Sequence, residues 1–398
     1  MKGKFNNLLV GLGIGTILSL IFFAGFFVGF GVQQKQYSSL GANDPNVREF
    51  LTAYHLVTQR SYFKPLNKQH LMYAAIDGML TATGDPHTLF LSPPQNQQAD
   101  SQLNGAQFSG IGAIVQSGCT GLDIVTPLPG SPASKAGLER GDVVVRIDGK
   151  PVKTMSESAA VGKVHGRTGT KVRLTVVRAS RGPFTVPVTR GTIPPSTAYG
   201  YVLSHHIGYL TISSFGDTTA GEVQRALASL AKAHIRGLVI DLRNNPGGFV
   251  DAAQQIVSQF VSSGVVAYEQ TPDKHLHALN VVSAPQAPHV PVAVLVDSGT
   301  ASAAEITAAA LRDHGRAVLF GTRTYGKGSM QSVYSLSDGS SIRITDRLWL
   351  TPGKHSIGTV GIEPDHLVEP EPEHGCNAAG QDHQLNVAVS YLLHNAHA

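Results

Sequence analysis

Between residues 207 and 321, strand-like apolar runs alternate with helix-like stretches, and this alternation constrains the chain more than any other feature. It reads strand "IGYLTISSF" (207–215), helix "AGEVQRALASLAKA" (220–233), strand "GLVIDLR" (237–243) and helix "DAAQQIVSQFVSS" (251–263). Strand "VAVLVD" (292–297), a helix over 302–313 and strand "AVLFG" (317–321) continue it. Such alternation predicts a layered α/β core, in which sites form just beyond the strand ends.

The rest of the 398 residues gives room for further domains. From Leu8 to Val32 the chain runs 25 residues without a charge, and Lys2 and Lys4 precede it. That length spans a bilayer, and the positive-inside rule predicts a cytoplasmic N-terminus and an extracytoplasmic body. A cleaved signal peptide fits less well, because its apolar region would be shorter and would end at a small-residue site. The expected organisation is a stub and single-pass anchor (1–35) in the cell membrane, then a linker and small helical segment (36–104). A β module with one or two short helices follows (105–192), then the α/β core (193–372) and a C-terminal helical segment (373–398). The net charge of +4 comes without a dense basic stripe, which argues against nucleic acid as a partner. Cys119 and Cys376 make no disulfide framework. Of the 17 histidines, neither His205–His206 nor the pair His275/His277 belongs to a full metal-ligand set in sequence, so no metal or other cofactor is expected.

Three glycine-flanked places follow core strands. In "DLRNNPGGFVD" (241–251), Gly247 and Gly248 precede a helix, so their amides suit an anion-binding turn as well as a plain strand-to-helix turn. In "GTASAAEITAAALRD" (299–313), Ser302 opens a helix with Glu305 three residues on. That is the pattern of a capping serine, and equally of a nucleophile set among oxyanion donors. In "GTRTYGKGSMQ" (321–331), Lys327 lies between two glycines with no acidic residue before Asp338. The glycines make the backbone pliable, and a buried lysine there would serve as a general base. Together the three suggest a serine–lysine hydrolase.

With "GIGAIV", "GSPASKAGLERGDVVVRIDGKPV", "IGYLTISSF", "GLVIDLRNNPGG", "GTASAAEITAAALRD", "GTRTYGKGSMQ" and "VGIEPD" in this order, the chain resembles the carboxyl-terminal processing peptidases, or tail-specific proteases, from about Val47 to Leu393. The resemblance implies that 105–192 is a circularly permuted PDZ domain inserted before a crotonase-like α/β protease core. It implies that Gly110, Ile111, Gly112 and Ala113 bind the carboxylate of a peptide C-terminus. It further implies Ser302 as nucleophile, Lys327 as base, Gln331 as the residue orienting the lysine, and the Gly248 and Ala303 N–H groups as the oxyanion hole. The expected substrates are proteins with unstructured, apolar C-termini, and the PDZ domain gates their cleavage. Two positions depart from the family: Ala304 replaces a serine, and His165 stands where many relatives carry an arginine that couples the PDZ domain to the site. A histidine there predicts weaker or pH-sensitive coupling.

Two rival readings are a catalytically silent PDZ adaptor, which the intact Ser302, Lys327 and Gln331 argue against, and a crotonase-type acyl-transfer enzyme, which needs neither PDZ module nor lysine. The helical segments 46–84 and 382–395 fit a possible homodimer contact or ordinary intramolecular packing.

Overall fold

The strands expected between 207 and 321 come together as one sheet in a computed structural model of the chain, which describes residues 44–105, 108–118, 120–128, 130–179, 181–370 and 382–395. The expected anchor at 8–32, Cys119 and Cys376 lie outside the described residues, as do 371–381 and 396–398. No helix among the described residues is long and apolar enough to cross a membrane.

The chain divides into two units, residues 1–78 and 79–398. In the first, Asp44 caps a helix over Pro45–Arg60, accepting from the Asn46 N–H. Its apolar residues Phe50, Leu51, Leu56 and Val57 are all exposed.

In the second unit the main sheet has six strands, in the order 198–202, 207–212, 237–241, 292–296, 318–321 and 366–367. All neighbours are parallel except the first pair. Both faces of its strands are apolar because both are covered, as parallel sheets require. Leu210, Ile212, Leu238, Ile240, Val294 and Val296 point to one face, where they join residues of the helices Thr219–Lys232, Val250–Val257 and Ala303–Asp313 in one core. Tyr209, Val239, Ala293, Leu295 and Phe320 point to the other, onto Ala388 and Leu392 of the helix His383–Asn395.

A second, antiparallel sheet closes the first core with Val266, Ala267, Met330 and Trp349. Its long strand Ser341–Leu350 pairs with Ser329–Ser335, with Val265–Gln270 and with Leu89–Leu91. The alternation read from the sequence does not reveal this sheet. The strand Leu89–Leu91 lies within the stretch read as helical, where a three-residue apolar run is too short to carry a period.

The small module is a six-stranded sheet over Ala113–Thr189, with helices Pro132–Lys135 and Glu157–Val164. Strict alternation buries Val172, Leu174 and Val176 of one strand against Leu122, Ile124 and Val144. Asp148 and Gly149, with φ of 49° and 78°, make the tight turn between Val143–Ile147 and Lys150–Pro151. A separate two-stranded ladder pairs Phe108–Gly110 with Gly191–Ile193, clamping the chain where it enters the module to where it leaves.

Candidate functional site

Two strand ends of the main sheet release their chains toward one cleft. After Gly237–Asp241 comes the turn 242–249, held by a buried asparagine: the Asn245 side chain donates to the Ile212 carbonyl at 2.7 Å and accepts from the Gly247 N–H at 2.8 Å. The chain then runs beside Phe215, with Phe215 N–H donating to Gly247 O and Phe249 N–H donating to Phe215 O. In an extended segment alternate amides face opposite sides, so the Gly248 N–H faces away from Phe215. Among the described residues it has no acceptor. A Cβ on Gly248 would sit 2.3 Å from Phe215 O, and one on Gly247 2.8 Å from both Ala303 N and Ser302 Cβ. Glycine is therefore required at both positions by close approach.

After Val292–Val296 the turn 297–302 delivers Ser302 at the mouth of its helix. Thr300 is fully buried and donates to Leu242 O, which ties this turn to the glycine turn, and Ala301 N–H donates to Asn245 O. Ser302 has φ 55° and ψ −119°, a conformation that costs a non-glycine residue and tends to mark sites where the surroundings enforce it. The Ala303 N–H, next to it, also lacks an acceptor among the described residues. Two amides without acceptors among the described residues, those of Gly248 and Ala303, thus belong to the two turns that meet at Ser302.

Lys327 arrives from the loop before the strand Ser329–Ser335. Its backbone is pinned on both sides: the N–H donates to Glu305 Oε2 at 3.0 Å and the carbonyl accepts from Trp349 Nε1 at 2.8 Å. Gly326 and Gly328 do not make this loop pliable. They let the segment 357–361 pack against it, since a Cβ on Gly326 would meet Gly361 N at 2.7 Å and one on Gly328 would meet Gly358 N at 2.9 Å. The ammonium itself has no ion-pair or hydrogen-bond partner among the described residues. Burial, chiefly, and the nearby Arg343 charge push its pKa down; Asp85 and Glu305 oppose them more weakly. A lysine so placed gives up its proton more readily than one in water.

Glu305 does more than cap. Its buried carboxylate accepts from Ser302 N–H (2.9 Å), Gly326 N–H (2.8 Å), Lys327 N–H (3.0 Å) and Thr324 Oγ1 (2.5 Å). One side chain therefore joins the serine turn to the lysine loop. The sequence marks it only as the third residue of a helix; that a carboxylate there is wholly buried is invisible without the fold.

Ser302, Lys327, Gly247, Gly248 and Gln331 all line one cleft of about 810 Å³. No hydrogen bond joins Ser302 Oγ to Lys327 Nζ among the described residues. Gln331 does not bond Lys327 either: its Nε2 donates to Ser329 Oγ at 2.9 Å and Thr345 Oγ1 at 3.0 Å, leaving Oε1 without a partner among the described residues. A register shift between Met330 and Gln331 bends the strand here.

The remaining expected residues are in the small module. Gly112 (φ 70°) lies against Ser131 and Ile193, where a Cβ would come within 2.7 Å. The Ile111 and Gly112 carbonyls accept from Ala133 and Leu128, while their N–H groups have no acceptor among the described residues. His165 ends the helix Glu157–Val164 and packs its ring on Phe108, with centroids 4.9 Å apart. An arginine is nevertheless present: Arg190 donates to the Lys163 and Val164 carbonyls at that helix end.

Comparison with known proteins matches residues 206–368 to peptidase family S41 and residues 124–178 to the PDZ domain. The carboxy-terminal processing protease CtpA of Bacillus subtilis is 35% identical over 335 residues, 83% of this chain and 71% of that protein. A CtpA-like serine protease of Staphylococcus saprophyticus is 34% identical over 77% of this chain and 62% of its own length. Among solved structures, one assigned to the S41 proteases of Bacteroides fragilis superposes with a TM-score of 0.51 at 18% identity, covering 86% of this chain and 97% of that one, a likeness of fold alone.

Proposed function

Because the chain belongs to peptidase family S41, the family of the carboxy-terminal processing serine proteases, we propose that it is a serine endopeptidase working through Ser302 and Lys327. The observation that carries this reading is that Gly248 and Ala303, whose N–H groups have no acceptor among the described residues, belong to the two turns that meet at Ser302, which shares its cleft with a half-buried lysine without a partner among the described residues.

In this mechanism a peptide enters the cleft and brings Ser302 Oγ and Lys327 Nζ together; such bonds commonly tighten only in the substrate complex. Neutral Lys327 takes the hydroxyl proton as Oγ attacks the carbonyl carbon. The oxyanion is held by Gly248 and Ala303 N–H, each such donor contributing roughly 10²–10³ in rate. The ammonium then protonates the departing amine, leaving an acyl-enzyme on Ser302. Water attacks that ester and gives its proton to Lys327, which returns it to Ser302 Oγ as the acyl C–O bond breaks and the second product leaves. Gln331 steers the lysine with Oε1, the one amide atom its hydroxyl contacts leave open.

The substrates in this reading are proteins with unstructured apolar tails, whose terminal carboxylate the PDZ module takes on the Ile111 and Gly112 amides and whose binding gates cleavage. The uncharged stretch Leu8–Val32 behind Lys2 and Lys4 supports a single membrane anchor with the body outside the cytoplasm. The deciding experiment uses the full chain in detergent, digesting an unfolded protein with an apolar C-terminal tail. Cleavage by the wild type that is lost in both Ser302→Ala and Lys327→Ala supports the dyad; equal cleavage by all three removes it. Tail binding without cleavage by any form would favour the adaptor. For the anchor, partition of the chain into membranes that survives carbonate extraction and disappears on deleting 8–32 is expected.

A further inference from the structure

Seven arginines are half-buried: Arg178, Arg190, Arg243, Arg312, Arg316, Arg343 and Arg347. Six have carboxylate or carbonyl partners. Arg178 pairs with Asp142, Arg243 with Asp241 and Asp382, and Arg347 with Glu269. Arg190, Arg312 and Arg316 donate to backbone carbonyls. Arg343 alone has neither ion pair nor hydrogen bond among the described residues, and its Nε is buried with no acceptor. A buried donor left unmade is costly, so such a group usually has a purpose.

Its surroundings point to that purpose. Arg343 stands in the strand Ser341–Leu350, opposite Val333, as Thr345 stands opposite Gln331. Arg343, Val333 and Gln331 line the same cleft as Ser302 and Lys327. The cleft's own acids do not satisfy it: Glu269 is occupied by Arg347, and Asp217 and Asp251 are in no ion pair with it among the described residues. Asp85, the nearby acid that bears on Lys327, is engaged by Thr88 Oγ1.

We propose that Arg343 is a carboxylate-binding subsite of the cleft, which takes a carboxylate carried by the substrate peptide at a fixed place relative to the cut. The planar guanidinium matches a carboxylate in two-pronged fashion, and a neutral amide cannot replace it at equal strength. The carboxylate has two possible sources, an Asp or Glu side chain beside the scissile bond or the terminal α-carboxylate of a short tail. The inference rests on the proteolytic reading above.

The test compares wild type, Arg343→Gln and Arg343→Lys as full chains in detergent. The probes are unstructured 20-residue peptides with apolar tails, carrying Glu or Gln at each position in turn, with free or amidated C-termini. Cuts and rates are read by mass spectrometry. Wild type is expected to prefer Glu over Gln about tenfold in kcat/KM at one position, the size of a charge-assisted hydrogen bond. That ratio should fall to about one in Arg343→Gln and be partly kept in Arg343→Lys. If the α-carboxylate is the ligand, amidation gives the tenfold loss instead, and Arg343→Gln abolishes that sensitivity; an amidation effect surviving in Arg343→Gln belongs to the PDZ module. A Glu-over-Gln ratio, or an amidation effect, unchanged in Arg343→Gln, or no carboxylate preference in wild type, overturns the subsite while leaving the protease intact. No cleavage even by wild type overturns the proteolytic reading itself.

Discussion

Two half-buried cations in this molecule are treated in opposite ways. Arg243, beyond the strand Gly237–Asp241, is held by Asp241, Asp382 and the Gln384 amide oxygen, and Tyr209 Oη donates to the same Asp241. Burial by itself would lower its pKa, but the bonds and charges of Asp241 and Asp382 outweigh burial and hold it far above the ordinary arginine value. Lys327 has its backbone fixed by Glu305 and Trp349 while its ammonium finds no partner among the described residues, and its pKa falls. A paired cation fastens the C-terminal helix to the sheet; an unpaired one is poised to lose its proton. The difference between a fastening and a base is whether partners are supplied to the charged head.

The strongest way to break this comparison is to remove each cation. Lys327→Ala should lower kcat by about 10²–10⁴, the worth of a general base, without lowering the melting temperature. Lys327→Arg should be equally inactive, because a guanidinium does not deprotonate. Arg243→Ala should do the reverse: a loss of about 3–5 kcal/mol in denaturant unfolding, from leaving Asp241 buried and unpaired, with far smaller changes in kcat than Lys327→Ala. If Arg243→Ala proves as stable as wild type, its network is not the fastening described.

Gly248→Ala should cost roughly 10²–10³ in kcat with substrate affinity kept, since its Cβ would push the segment off Phe215 O and displace one oxyanion donor. Glu305→Gln turns an NH2 group toward N–H donors. A loss of about tenfold to a hundredfold in kcat is expected, equivalent to one unmade buried hydrogen bond. Retained activity would show that the serine turn and the lysine loop do not depend on that carboxylate.

The smallest effects are shifts of the pH profile. Activity should rise with pH through the lowered Lys327 pKa. Between that value and the ordinary 10.5 the unfolded chain binds the extra proton, so this group's contribution to stability also rises with pH there. Arg343→Gln removes a repulsion and should move the activity limb to higher pH; Asp85→Asn removes an attraction and should move it to lower pH.

Much of this was legible in the chain. The alternation from 207 to 321 determined the parallel sheet, because strands buried on both faces must be apolar throughout and their crossovers must be helical. The alternating residues of 171–178 and the Asp148–Gly149 turn marked the small module as β-structure in the same local way, without saying which β module it is. Gly247, Gly248, Ser302 and Lys327 stood out because glycine and an isolated lysine are conspicuous in a single line of sequence. The second sheet did not show, since its strands are half-exposed and interrupted by charge, as in "SIRITDRLWL". Nor did the meaning of Glu305, Thr300, Asn245 or Arg343. Periodicity and composition report which face of a segment avoids water, and that is fixed locally. Which buried donor finds an acceptor, and which charge is denied one, depends on residues brought together across the fold, so only the tertiary structure decided that Arg243 is paired and that Lys327 and Arg343 find no partner among the described residues.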